Sequence, residues 1–66
     1  MIIRIEFIDE DGAISKFERD AHFVPRIGET FIGTDDHAAH CQGTVENVEH
    51  LYDTKTGIVR VTVREG

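Results

Sequence analysis

The sequence predicts an all-β domain: five short strands forming a small SH3-like barrel or a strongly curled antiparallel sheet, with one irregular loop or helical turn. Three observations carry this. Apolar and polar residues alternate with period two at both ends of the chain. Short β-branched runs are separated by Asp-Gly, Pro-Arg-Ile-Gly and Lys-Thr-Gly turn signals. The chain has only 66 residues, so curling or closing the sheet is the economical way to protect its edges.

Residues 2–8 read Ile-Ile-Arg-Ile-Glu-Phe-Ile. Ile3, Ile5 and Phe7 share one face and Arg4 and Glu6 the other, the pattern of a half-buried strand. Asp9-Glu10-Asp11-Gly12 follows, and the Asp-Gly pair predicts the positive φ angles of a tight hairpin turn. Residues 13–19 form the returning strand. Its large apolar residues, Ile14 and Phe17, have opposite parity, so either a bulge intervenes or one of them is exposed.

Residues 20–33 are less regular. Pro25 lacks an N–H and belongs to a turn or an edge. Gly28 supplies a left-handed residue, and Thr30-Phe31-Ile32 is a short strand. Phe23, Ile27 and Phe31 are expected to close the end of the core. Residues 34–42 are the least strand-like, a loop or one helical turn capped by Thr34, Asp35 or Asp36.

Residues 44–52 suit either element. Val45, Val48 and Leu51 recur at every third position, as in a helix. A strand with a bulge near Asn47 also turns Val45 and Val48 inward, and strand is the expectation here, because an isolated helix this short is marginal. Residues 53–57 form a hairpin loop ending in glycine. Residues 58–64 are the clearest strand, with Val59, Val61 and Val63 inward and Arg60, Thr62 and Arg64 outward. No repeat or linker divides the chain, so residues 1–66 read as one domain.

Composition narrows the function. With 13 acidic against 7 basic residues, the formal net charge is −6. Nucleic-acid binding and attachment to an anionic membrane both draw on basic residues, so neither is expected. No stretch approaches the ~20 apolar residues of a membrane span, and no signal-peptide pattern precedes the first strand. A single cysteine, Cys41, excludes a disulfide within the chain. Together these suggest a cytoplasmic protein. A core this small often takes help from a metal or a second subunit, so a homo-oligomer, at its simplest a homodimer, is expected.

Two groups of residues stand out as candidate sites. Asp35, His37, His40 and Cys41 are ligand-type residues, and His37, His40 and Cys41 are spaced i, i+3, i+4. In a helical turn those three share a face, and imidazole with thiolate suits Zn²⁺, the one cofactor the sequence suggests. His22 or His50 is a further ligand if the fold brings it close. The preferred reading is nevertheless a solvated polar loop with no cofactor, and zinc binding is the alternative to it. Cys41 with a histidine base is also the beginning of a nucleophilic pair, but the oxyanion hole and pocket such chemistry needs are not evident. His50 and Tyr52 on the fourth strand form the second group, a binding surface or simply an outer-face pair. The acidic turn at residues 9–11 reads as solvated, and Arg60 and Arg64 are expected to pair with Glu6 or Glu46 across the sheet.

Three stretches form a further pattern: Val24-Pro25-Arg26-Ile27-Gly28-Glu29, then Val45-Glu46-Asn47-Val48-Glu49-His50, then the valine-rich last strand. This resembles a loose class of very small β-barrel proteins of bacteria, phages and other mobile elements, with a Val-Pro-Arg-x-Gly-Glu turn and a Val-x-x-Val-x-His strand. The matching stretches cover about half the chain and consist of turn and core residues. Many members of that class have no assigned role, and residues 35–42 form a longer loop than the class implies. The resemblance implies a small accessory protein of such an element. The resulting expectation is a non-enzymatic protein-binding accessory or regulatory module. The alternative is a small Zn-binding protein using the Asp35–Cys41 loop.

Overall fold

The computed structural model describes residues 1–51 and 57–66. Among these residues lie five strands: β1 (Ile2–Ile8), β2 (Ile14–Asp20), β3 (Thr30–Thr34), β4 (His40–Leu51) and β5 (Ile58–Glu65). They form one sheet in the order β2-β1-β5-β4-β3, strongly curled into a half-barrel. No helix occurs among the described residues, and none is long and apolar enough to cross a membrane.

Alternation translates directly into layers. Ile3, Ile5 and Phe7 of β1, Phe17 of β2, Cys41 and Val45 of β4, and Val59, Val61 and Val63 of β5 make the buried core. Of the opposite-parity pair, Phe17 is the buried one and Ile14 is exposed. The outer face carries cross-strand charges. Arg60 forks onto Glu49 with N···O distances of 2.8 and 2.9 Å and reaches Glu6 at 3.9 Å, and Arg64 meets Glu46 at 3.1 Å. The expected Glu6 and Glu46 partners are present, with Glu49 in addition.

β4 is a strand throughout residues 44–51, and its register shifts between Val45 and Asn47. The bulge inserts Glu46, so that Val45 opposes Val63 and Val48 opposes Val61, both inward. The three-residue spacing of the valines is thus a bulged strand.

The expected sheet was antiparallel. Three pairings are, but β1 and β5 run parallel. With β1 and β5 parallel and the other neighbours antiparallel, the two edge strands β2 and β3 run in opposite directions across the seam. The ring stops short of closure, because β2 and β3 are edges without a shared ladder. Side chains span the seam between them. The Phe17 and Phe31 rings lie 6.4 Å apart. The Arg19 guanidinium sits 4.8 Å over Phe17 and donates to the Glu18 and Thr34 carbonyls, each at 2.6 Å, and to the Asp36 carboxylate at 3.0 Å.

The two hairpin loops beside this seam use one design. In residues 9–13 the Asp9 N–H donates to the Ala13 carbonyl, and the Gly12 N–H to the Asp9 carbonyl. The Asp9 carboxylate accepts from the N–H groups of Asp11 and Ala13. Residues 35–39 repeat every bond, with Asp35 in the place of Asp9 and Ala38 in that of Gly12. Each is a three-residue turn ending on a left-handed residue, and not the two-residue Asp-Gly turn expected at residue 11. Only Gly12 has positive φ in the first loop, at 85°.

In the second loop the left-handed position falls to Ala38, with φ 61°. A β-carbon costs about 1–2 kcal/mol in that conformation, while glycine gives back roughly 0.5–1 kcal/mol through its freer unfolded chain. Ala38→Gly is therefore expected to stabilise the protein by about 0.5 kcal/mol, a rise of about 2–4 °C in melting temperature. A thermal melt that shows a decrease contradicts the shared loop design.

One expectation for the core needs correction. Phe31 packs against it, but Phe23 is 83% exposed and Ile27 65% exposed. Ala21 and Val24 take their place. With Val24 turned inward, its neighbour Phe23 points out. Ile27 lies at the tip of a turn closed by the Glu29 N–H on the Arg26 carbonyl and by the Glu29 carboxylate on the Arg26 N–H.

Candidate protein-docking groove

The ladder decides which backbone groups each edge strand leaves open. The Glu29 carbonyl accepts from Val45 and the Asp35 N–H donates to Ala39. In an antiparallel ladder, bonding toward a given neighbour alternates with period two. Phe31 and Gly33 therefore also bond toward β4, and the N–H and C=O groups of Thr30, Ile32 and Thr34 point to the free edge. By the same count from Asp9 and Ala21, residues 14, 16, 18 and 20 face the free edge of β2.

The two edges differ in chemistry. β2 carries Lys16, Glu18, Arg19 and Asp20, and such charges discourage pairing with another chain. β3 is Thr-Phe-Ile-Gly-Thr, with no charge, no proline and no bulge. Arg19 occupies its Thr34 carbonyl, leaving the open part of the edge around Thr30 and Ile32. Ile32 is 64% exposed.

A groove of about 650 Å³ runs along this edge. One wall is Thr30, Phe31 and Ile32; the other is Phe23, Val24, Pro25 and Arg26. The groove continues toward the seam as a space of about 430 Å³ above Ile3 and Ile5, with Arg19 at its far end. Pro25 contributes no donor to this wall, and Arg26 and Glu29 form an ion pair at its mouth, 3.6 Å apart. The arrangement is a trough of mixed polar and apolar lining beside unpaired strand backbone, which suits an extended peptide.

The Asp35–Cys41 candidates do not share the single face that a helical turn predicts. Residues 35–39 form the hairpin turn described above, and β4 begins at His40. Along a strand successive side chains point to opposite faces, so His40 is exposed while Cys41 is 3% exposed in the core. His37 is exposed at the loop. The Asp35 carboxylate is held below its ordinary pKa, first by the hydrogen bond from Ala39 N–H and also by that from His37 N–H. Burial pushes the Cys41 thiol up, Asp35 adds to the effect, and the thiol donates to the Ala39 carbonyl at 3.6 Å. A thiol in that state is poorly disposed to lose its proton to a metal. No group of three or more His, Cys, Asp or Glu side chains among the described residues is placed to hold a metal ion.

Of the second candidate pair, His50 is exposed on β4 opposite Val59. It borders a shallow hollow with Val24, Pro25, Arg26, Ile27 and Val48. Tyr52 lies outside the described residues.

Sequence reasoning put Phe23 in the core and Ile32 in a short strand, and gave neither of them nor Arg19 a place in a site. A signal for β3 was present, since a short β-branched stretch lacking any charge contrasts with the charged β2. Nothing local marks Arg19, whose partners across the seam lie 15 and 17 residues away. Compared with protein-family models, with curated proteins and with solved structures, the chain finds no match in any of the three.

Proposed function

We propose that the protein is a non-enzymatic docking module, an accessory or regulatory protein that binds an extended segment of a protein along the free edge of β3. The observation that carries this reading is the uncharged, unpaired β3 edge facing a trough whose rim holds the exposed Phe23 and Ile32. Main-chain hydrogen bonds to Ile32 and Thr30 supply affinity, and the apolar wall selects alternate side chains of the bound strand. The net charge of −6 favours a partner segment flanked by basic residues. The resemblance to small barrels of phages and mobile elements fits an accessory role of this kind.

A selection of random peptides displayed against the immobilised protein tests the reading. The expected outcome is enrichment of sequences that alternate apolar and polar residues, with capture lost in Ile32→Lys. Failure to enrich any sequence, or capture that Ile32→Lys leaves intact, sinks it.

A further inference from the structure

We infer that the β3 edge accepts a second copy of this chain, the two β3 strands pairing antiparallel about a twofold axis at Ile32. This rests on the docking reading above and names one occupant for the same edge.

The strand is its own complement. Its open-edge residues, in order, are Thr30, Ile32 and Thr34, the same sequence in both directions. An antiparallel pair centred on Ile32 sets Ile32 against the partner's Ile32 and Thr30 against the partner's Thr34. Apolar and Thr–Thr pairs of this kind stabilise strand pairing. Such a pair engages the Ile32 and Thr30 groups that β4 leaves unused, while its outer bonds require Arg19 to leave the Thr34 carbonyl it holds at 2.6 Å. A twofold axis is the symmetry a self-complementary patch generates.

Charge complements only locally along this axis, because each copy carries a net charge of −6. One end of β3 carries Arg26, its side chain 88% exposed and paired with Glu29 of its own chain, and the other carries Asp36, 65% exposed and paired with Arg19 of its own chain. Antiparallel pairing brings the Arg26 end of each strand to the Asp36 end of the other. It also brings Glu29 toward the partner's Asp35. That contact is moderated by Arg26 on Glu29 and by the backbone N–H groups that already hold the Asp35 carboxylate.

Area sets the strength. A standard interface takes about 800 Å² from each partner, roughly a sixth of the 4651 Å² surface of this chain. A five-residue strand spans only about 17 Å, so strand pairing alone falls short. Phe23 and Ile32, 83% and 64% exposed beside the edge, are the side chains that extend it. The dimer is accordingly a weak one, with a Kd on the micromolar scale typical of small transient interfaces.

Sedimentation equilibrium of the full chain, from about 1 to 200 µM so as to bracket that Kd, reads the result. The expected mass rises toward twice 7.5 kDa across the series. Ile32→Lys is expected to hold the mass at 7.5 kDa, while Ile14→Lys, at an exposed site on the charged β2 edge, dimerises like the parent. Circular dichroism of Ile32→Lys confirms that the fold is kept. As a second readout, Ile32→Cys is expected to form an intermolecular disulfide on oxidation, because directly paired strand residues lie about 5.5 Å apart. A parent that stays monomeric throughout, or a dimer that Ile32→Lys does not weaken, overturns the inference. If the parent is monomeric yet still captures displayed peptides through Ile32, the docking reading stands and the second copy alone is excluded.

Discussion

Val61→Asp is expected to abolish folding. Val61 has no exposed surface and sits mid-way along β5, between Ile5 of β1 and Val48 of β4. No buried polar or charged residue occurs among the described residues, so nothing there offers a carboxylate a partner. An unpaired acid in such a site costs several kcal/mol, whether it stays charged or takes up a proton. A domain of this size has total stability at the low end of about 5–15 kcal/mol. The variant should therefore show an unfolded circular dichroism spectrum at 25 °C. Thr44→Asp, on the exposed face of β4 opposite Arg64, should cost no more than about 1 kcal/mol. Equal effects at the two sites would show that the strand faces are wrongly assigned.

Gly43→Ala is expected to destabilise the protein by about 3 kcal/mol, the upper part of the usual range for overpacking. Gly43 occupies an inward position of β4, between Cys41 and Val45, and pairs with Phe31 on one side and Glu65 on the other. There the curl of the sheet carries the β5 backbone against it. A β-carbon at Gly43 overlaps the Arg64 carbonyl oxygen and comes within 2.7 Å of its carbon and 3.0 Å of the Glu65 Cα. These are main-chain atoms, so relief requires moving β5. Gly33→Ala is the matched control. Its β-carbon meets the Phe31 ring at 3.0 Å, a side chain that can turn aside. Chemical denaturation should place the Gly33 variant within about 1 kcal/mol of the parent. Similar losses from both substitutions would contradict the close passage of β5 over Gly43.

The sequence by itself determined the layers of the first and last strands. Ile3, Ile5, Phe7, Val59, Val61 and Val63 are inward because period-two alternation has one consistent solution once a core exists. It also implied a bulge near Asn47, because Val45 and Val48 can both be inward in a strand only if one residue is inserted, and the register shift falls between Val45 and Asn47. The Asp35–Cys41 group shows the limit of such spacing arguments. Its i, i+3, i+4 pattern describes a shared face only in a helix, and the hairpin that forms instead puts His40 and Cys41 on opposite faces.

Tertiary structure alone decided the rest. Which pair of strands runs parallel, where the ring stays open and which edge is left bare are properties of how five strands curl together. Arg19 reads as an ordinary strand arginine until the seam brings the Thr34 carbonyl and Asp36 to its guanidinium. Phe23 reads as core until Val24 takes the inward place. Local pattern specifies which face of a strand is buried, because that depends on side-chain period. It does not specify which strands become edges, because backbone hydrogen bonding between strands is the same for every sequence and is allotted only when the whole sheet assembles.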